Sequence, residues 1–196
     1  MTYVIFDVGN VIIEANHQIT FEALKNLGVS PEKAVDFYTI PEYSEFSRGN
    51  ITEEQFHMAL IQHFGMDLSL DQVRQAHDSH IYALVDRIKD TLDYAKAHAN
   101  IGFLTNTNIW QTAREKQFID LELYGGPVLR SHELHLLKSD QGLFEKATEI
   151  IGASEEDIIL VDDLTNNCLE ARRYGWDFIQ FKDARQTYDA LIKKLN

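Results

Sequence analysis

The stretch YVIFD at residues 3–7 sets four consecutive apolar or aromatic residues directly before a carboxylate. Such an uninterrupted run is typical of a strand that is buried on both faces of a parallel sheet. Runs of the same character occupy residues 101–104, 158–161 and 178–181, and each follows a stretch with helical periodicity. Because strands alternate with helices, the sequence predicts an α/β fold with a doubly wound parallel sheet.

The segment between residues 14 and 86 interrupts this alternation. Its stretches HQITFEALKNLG, SPEKAVDFYTI, TEEQFHMALIQHF and SLDQVRQAHDSHIYALV all have helical periodicity. Ser30 before Pro31, and Thr52 before two glutamates, are helix-start signals. The sequence therefore predicts a core domain of residues 1–13 and 87–196, with residues 14–86 inserted as a helical cap subdomain.

The composition limits the classes of partner. The chain has 18 Lys+Arg against 31 Asp+Glu, a net charge of -13, which disfavours nucleic acid and acidic membrane surfaces. A phosphate ligand would need local positive charge from a metal ion or a lysine. The single cysteine excludes an intramolecular disulfide, and the first residues resemble neither a signal peptide nor a membrane span. We therefore expect a cytoplasmic protein.

Polar side chains follow the predicted strands at the edge where open parallel sheets bind ligands. They are Asp7 after the first run, Thr105 and Asn106 after the second, Lys138 before a helix that begins near residue 143, and Asp162 and Asp163 after residues 158–161. Carboxylates can hold a hard cation or attack phosphorus, and the hydroxyl, amide and ammonium groups can bind phosphate oxygens. The set predicts magnesium-dependent phosphoryl transfer.

Four motifs in this order resemble those of the haloacid dehalogenase-like (HAD) superfamily of hydrolases. They are FDVGNV at residues 6–11, LTNTN at 104–108, Lys138 within LLKSDQGLFEKA, and ILVDDLTNN at 159–167. The resemblance covers the whole chain and is closest to the phosphatase subgroup similar to bacterial α-glucose-1-phosphate phosphatase. It implies a Rossmann-like core with a helical cap that closes over a small phosphomonoester, plausibly a sugar phosphate.

The resemblance also implies a nucleophile and a metal site. Asp7 would attack phosphorus to form an aspartyl phosphate, while its other oxygen holds Mg2+. The backbone carbonyl of Gly9 would be a further ligand of the metal. Asp163 would complete the site, with Asp162 beside it or bound through water.

The remaining implied roles concern the phosphate. Thr105 and the backbone N–H of Asn106 would hold it, and Lys138 would neutralise the nucleophile and the transferring group. Asn167 would support the loop of the fourth motif.

Two positions depart from the pattern of the superfamily. Most of its phosphatases carry, two residues after the nucleophile, a second aspartate that protonates the leaving oxygen and later activates water; here that residue is Gly9. Glu14 and His17 are the nearest titratable residues that could replace it. Ser139 follows Lys138 where proline is usual, which bears on the placement of the lysine.

Two alternatives stay open. The first is a dehalogenase-type hydrolase of the same fold, although dehalogenases typically have tyrosine two residues after the nucleophile and need no metal. The second is a non-catalytic phosphate-binding or regulatory protein, because Gly9 cannot transfer a proton. A zinc site at His132 and His135 is disfavoured by the lack of cysteine partners. Surface or half-buried positions are expected for four cap histidines, His57, His63, His77 and His80.

Overall fold

A computed structural model describes residues 1–195 of the 196-residue chain. The strands within residues 1–195 are, in chain order, β1 (Tyr3–Phe6), β2 (Ile13–Ala15), β3 (Ile81–Leu84), β4 (Asn100–Thr105), β5 (Val128–Arg130), β6 (Ile158–Asp162) and β7 (Asp177–Gln180). The α-helices are α1 (His17–Asn26), α2 (Pro31–Ala34), α3 (Pro41–Ser47), α4 (Glu53–Phe64), α5 (Leu70–Asp78), α6 (Ile88–His98), α7 (Ile109–Glu115), α8 (Ser131–Leu134), α9 (Leu143–Ile151), α10 (Thr165–Tyr174) and α11 (Ala184–Leu195). No helix within the described residues is both long and apolar enough to cross a membrane.

The central sheet has five parallel strands in the order β5-β4-β1-β6-β7. The chain moves outward from β1 through β4 and β5, then returns to the other side of β1 with β6 and β7. Val4 and Phe6 pack into the hydrophobic cluster on one face, and Ile5 packs into the cluster on the other. The predicted doubly wound α/β fold is confirmed. Its strand order reverses at β1, so the ligand crevice is expected beyond the end of that strand.

The fifth strand, β5, was not predicted. It has only three residues and follows Gly125, Gly126 and Pro127, so it lacks the apolar run that marks the other strands. Gly126 lets this segment approach β4 closely, because a Cβ on it would lie 1.6 Å from the carbonyl oxygen of Ile101.

Helical periodicity predicts a helix through residues 81–84, and this prediction is wrong. The helix α5 ends at Asp78, and residues 81–84 form β3, which pairs antiparallel with β2. Ile81 is buried whereas Tyr82 is 46% exposed, the alternation of a half-buried strand. The two-stranded ribbon connects the helical insertion to the core.

The helices α1 to α5 share a hydrophobic cluster of their own. Their capping follows the sequence signals: Thr52 and Gln55 form a capping box at α4, and Ser30 precedes Pro31 at the short helix α2. The core contributes one large side chain to this cluster, because Trp110 of α7 is fully buried there. The division at residues 13/14 and 86/87, and the role of the insertion as a cap, stay predictions.

Candidate active site

Asp7, Lys138 and Asp162 form a buried ion-pair triad at the carboxyl end of β1. The Asp7 N–H donates to the carbonyl oxygen of Val161 at 2.8 Å, which extends the β1–β6 pairing by one residue. The Lys138 Nζ atom lies 2.7 Å from Asp7 Oδ1 and 2.7 Å from Asp162 Oδ2. Burial raises the pKa of Asp7 to about 7, against the opposing effect of the ammonium. Burial lowers the pKa of Lys138, but the two carboxylates more than offset this, so the lysine stays charged.

The two carboxylates that follow β6 have different surroundings. Asp162 is fully buried and accepts hydrogen bonds from the Leu164 N–H at 2.9 Å and from Asn167 Nδ2 at 3.0 and 3.1 Å, besides the contact with Lys138. Asp163 is half-buried and faces a cavity. Burial, and then the charge of Asp162, raise the pKa of Asp163. Asp163 is therefore the carboxylate whose oxygens remain available to a ligand.

The acidic side chains at this edge fit a divalent cation. One oxygen each of Asp7, Asp162 and Asp163 lies within 4.8 Å of the others, and within residues 1–195 this is the single group of three or more acidic, histidine or cysteine side chains so arranged. When all three carboxylates are ionised, they and the one ammonium leave the site with an excess of two negative charges. Carboxylate oxygens are the ligands that Mg2+ and Ca2+ prefer.

Of the two predicted residues at the end of β4, Asn106 lines the cavity and Thr105 does not. Asn106 is exposed, and its Oδ1 accepts the Lys138 N–H at 2.8 Å, which ties the two loops together. Thr105 is 4% exposed at the end of β4 and does not line the cavity. Asn108 caps α7 by accepting the N–H groups of Trp110 and Gln111.

The loop that carries Lys138 is held in place without the usual proline. Asp140 Oδ2 accepts the Leu137 N–H at 2.8 Å. Arg48, which follows α3, donates to both oxygens of Asp140 at 2.7 and 2.8 Å. A residue of the helical insertion thus helps to fix the lysine loop beside Ser139.

A cavity of about 380 Å³ opens above the triad. Six of the residues predicted for the site line it: Asp7, Gly9, Asn106, Lys138, Asp163 and Asn167. Of the predicted residues, Thr105 and Asp162 do not reach it.

Solved structures with this architecture are numerous, although no protein-family model matches the sequence. A HAD-family enzyme from Bacteroides thetaiotaomicron, solved as a complex with magnesium and inorganic phosphate, superposes with a TM-score of 0.84 at 20% identity, covering 93% of this chain and 95% of that one. The chain has the HAD-like fold. A predicted HAD-like family hydrolase from Porphyromonas gingivalis gives 0.81 at 20% identity over 100% and 97%. L-2-haloacid dehalogenase from Xanthobacter autotrophicus, with chloropropionic acid covalently bound, gives 0.64 at 14% over 91% and 76%.

The HAD-like core and the helical insertion both contribute to the cavity. Most of the lining residues from the insertion were not predicted from the sequence. The lining residues from the insertion are Ala15, His17, Tyr43, Ser44, Ser47 and His80, and the core adds Gln111 of α7 together with Asn10, Leu137 and Leu164. His17 was considered only as a neighbour of the nucleophile in sequence. The others come from separate helices and loops, so no local pattern marks them as one group.

His80 and His77 contradict the expectation of surface or half-buried histidines. Both are at most 1% exposed, because their rings pack in an aromatic cluster with Tyr38 and Phe37. The His80 Nδ1 bonds the His77 carbonyl oxygen, and its Nε2 lies 3.2 Å from Gln111 Nε2. Burial, and then the charge of His77, lower the pKa of His80 to about 3, so its ring is neutral.

Gly9 lines the cavity without a steric need for glycine. A Cβ at this position would meet no atom within 4 Å, and Gly9 is not among the glycines with positive φ. The missing carboxylate is therefore a chemical difference that the backbone does not impose.

Proposed function

We propose that this chain is a magnesium-dependent phosphatase that hydrolyses a small phosphomonoester through an aspartyl phosphate on Asp7. The observation that carries this proposal is the buried ammonium of Lys138, which contacts both Asp7 and Asp162 at 2.7 Å beneath a cavity that Asp163 also lines. A carboxylate held against a fixed positive charge at the end of a central strand is suited to attack phosphorus.

The charge of the site supports a metal-dependent reaction. Two excess negative charges would repel a phosphate dianion, and a divalent cation would offset them. Asp7, Asp163 and the backbone carbonyl of Gly9 are the proposed ligands, since the oxygens of Asp162 already accept hydrogen bonds from Leu164 and Asn167. When bound, Mg2+ supplies charge stabilisation to the phosphoryl oxygens. The Bacteroides enzyme of the same fold was solved with magnesium and inorganic phosphate.

The residues of the chain divide the chemistry between two steps. In the first, an Asp7 oxygen attacks phosphorus and the ester P–O bond breaks. In the second, water attacks the phosphorus of the aspartyl phosphate and frees the Asp7 carboxylate. Lys138 offsets negative charge in both steps, and Asn167 holds the Asp162 loop. The Asn106 N–H is the proposed phosphate donor, because Thr105 does not line the cavity.

The wall formed by the insertion supports a neutral, hydroxyl-rich leaving group, as in a sugar phosphate. Besides the partly exposed His17, it presents Tyr43, Ser44 and His80, and Gln111 of the core helix α7 lies beside them. These side chains donate or accept hydrogen bonds without carrying a charge. The charged side chains that line the cavity, Asp7, Lys138 and Asp163, all belong to the core. We therefore propose a sugar phosphate as the substrate, as the sequence resemblance to the subgroup similar to α-glucose-1-phosphate phosphatase implies.

A panel of phosphomonoesters assayed with Mg2+ and with a chelator tests the proposal. We expect phosphate release that requires Mg2+, favours sugar phosphates, and is abolished by Asp7→Asn while circular dichroism stays unchanged. Asp189→Asn, an exposed aspartate of α11, is the control and should keep full activity.

Other outcomes would favour the rival functions. An Asp7→Asn variant as active as the wild type would overturn the nucleophile assignment. Halide release from a 2-haloacid without added metal would favour a dehalogenase. Phosphate binding with no turnover of any ester would favour a non-catalytic role.

A further inference from the structure

The proposed phosphatase reaction needs a proton at the leaving oxygen, and Gly9 has no side chain that could provide it. An alkoxide is a poor leaving group unless a positioned acid protonates it, and the later attack of water needs a base. If the proposed function holds, another group of this chain must donate and accept that proton.

Six titratable side chains line the cavity and could in principle move the proton. They are Asp7, His17, Tyr43, His80, Lys138 and Asp163. Asp7 is the nucleophile, and Lys138 is held between two carboxylates that keep its ammonium charged. Asp163 is a proposed ligand of the metal. Three candidates remain.

Two of the three are poorly matched to proton transfer near neutral pH. Burial raises the pKa of Tyr43 far above its ordinary value, so its phenol does not ionise. His80 has both ring nitrogens engaged, by the His77 carbonyl and by Gln111, and its pKa of about 3 keeps it from protonation. His17 is left.

Glu14, the other candidate from the sequence, faces elsewhere. It lies in β2, does not line the cavity, and lines a separate groove beside Asp86 and Arg87. Its carboxylate faces the exposed Tyr82 of the neighbouring strand β3 and raises the pKa of that phenol.

The backbone holds His17 close to the nucleophile loop from both sides. Asn10 follows Gly9, and its Oδ1 accepts the Ala15 N–H at 3.0 Å. The Asn16 N–H then donates to the carbonyl oxygen of His80 at 2.9 Å, and the Asn16 side chain caps α1. His17 is the first residue of that helix, so its position follows from a short and doubly anchored connection.

Aromatic contacts orient the His17 ring and leave its nitrogens free. The ring stacks on Tyr38 with centroids 3.7 Å apart and planes 14° apart, and it meets the edge of His80 at 5.7 Å. Within residues 1–195, none of the hydrogen bonds made by histidine ring nitrogens involves His17. A fixed plane with unengaged nitrogens at the cavity is the geometry that proton transfer needs.

We propose that His17 is the general acid and general base of the reaction, in place of the carboxylate absent at Gly9. As the ester P–O bond breaks, the imidazolium of His17 gives its proton to the leaving oxygen, and an alcohol departs. The neutral imidazole then takes a proton from water as the water oxygen bonds to phosphorus and the Asp7–phosphorus linkage breaks. Inorganic phosphate leaves, and His17 is again protonated, so the cycle closes.

The groups around His17 are compatible with both the neutral and the protonated form of its ring. Partial burial, and then the charge of His77, lower the pKa of His17 in the free protein, which favours the base form. The other ring neighbours, Tyr38 and His80, are neutral. A bound phosphate dianion adds negative charge beside the ring and favours the imidazolium when the ester is present.

The test compares leaving groups in His17→Gln, which keeps a polar side chain but cannot transfer a proton. The substrates are a sugar phosphate that the wild type hydrolyses, with α-glucose-1-phosphate as the first choice, and p-nitrophenyl phosphate, whose leaving group needs no proton. His63→Gln, on α4 and outside the cavity, is the matched control. Thermal unfolding checks that each variant folds.

We expect kcat/KM of His17→Gln to fall by about 10²-fold or more on the sugar phosphate and by less than about tenfold on the nitrophenyl ester. Slow hydrolysis of the aspartyl phosphate should also produce a burst of nitrophenol. Equal losses on both substrates, or a change confined to KM, would overturn the assignment while leaving the phosphatase proposal intact. If the wild type hydrolyses neither ester, the proposed function itself fails.

Discussion

The ion pair between Arg48 and Asp140 connects the helical insertion to the loop of Lys138, and its removal should affect both stability and turnover. Arg48→Met keeps the aliphatic stem and deletes the guanidinium, so Asp140 loses two hydrogen bonds and keeps the one from Leu137. Both side chains are 23% exposed, between the surface and buried classes. We expect the free energy of unfolding to fall by about 1–2 kcal/mol. This is more than the loss of an exposed ion pair costs and less than the loss of one partner of a buried ion pair.

The kinetic effect follows from the position of Asp140 two residues after Lys138. The Lys138 N–H remains bonded to Asn106, so the loop loosens without leaving the site. A shift on the order of 1 Å in a reacting group can cost about 10²-fold, and partial loosening should lower kcat by roughly tenfold with little change in KM. The hydrogen bonds from Arg48 lower the pKa of Asp140, so their stabilisation is present at pH 7 and is lost as the pH falls through that lowered value.

Urea unfolding and steady-state kinetics on Arg48→Met, Asp140→Asn and the double variant measure the coupling at pH 7. The matched control is Lys25→Met, which breaks a surface ion pair with Glu22 and should cost less than about 0.5 kcal/mol. We expect a coupling energy near 1 kcal/mol in unfolding. Additive effects, or a kcat that does not change in Arg48→Met, would refute the role of this pair in placing the lysine.

Three shorter predictions concern other sites. Burial raises the pKa of Glu115 from 4.5 to about 7, so stability is lost as the pH rises through 7. Urea unfolding should find Glu115→Gln more stable than the wild type at pH 8, by about 1–3 kcal/mol, and not at pH 4.5. Asp163→Asn should abolish the rise in Tm that Mg2+ produces, whereas Asp162→Asn should lower the free energy of unfolding by about 3 kcal/mol in chelator. Gly9→Asp, placed in the His17→Gln background, should recover at least about tenfold of the lost kcat/KM on a sugar phosphate.

The central strands could be predicted because burial on both faces demands uninterrupted apolar residues. This condition holds for β1 and β6 and for most of β4, whereas the edge strand β7 contains Asp177 and Gln180 and has one buried residue. All four predicted runs lie within one residue of their observed bounds. The condition does not hold for β5, an edge strand of three residues that is positioned by the close approach of Gly126. Residues 81–84 were misassigned because four residues are too few to separate a half-buried strand from the end of a helix.

The core half of the site could be predicted for a topological reason. Parallel strands end at one edge, so the residues after β1, β4 and β6 must come together whatever their side chains are. The half from the insertion depends instead on how helices pack on the core. Trp110 of α7 packs against the stacked rings of Phe46 and Phe56, with ring centroids 5.0 and 5.4 Å away. Its Nε1 donates to Glu53 Oε2 at 2.6 Å. No local pattern encodes that docking.

The distribution of charge over the cavity divides it into a charged side, which would carry the proposed chemistry, and a neutral side, which would recognise the proposed substrate. The core supplies the charged groups, Asp7, Lys138 and Asp163, from positions that the sheet topology sets. The insertion supplies side chains whose neutrality depends on burial, as for His80, and one, His17, that remains exposed. In the proposed reaction, we expect a change of substrate to require changes in the residues of the insertion and in Gln111, whereas loss of the Asp7, Lys138 or Asp163 charge should stop turnover. Because residue 9 is glycine and has no carboxylate, the proposed proton transfer runs between His17 of the insertion and the substrate bound at the core. We therefore expect catalysis to depend on how the insertion docks on the core.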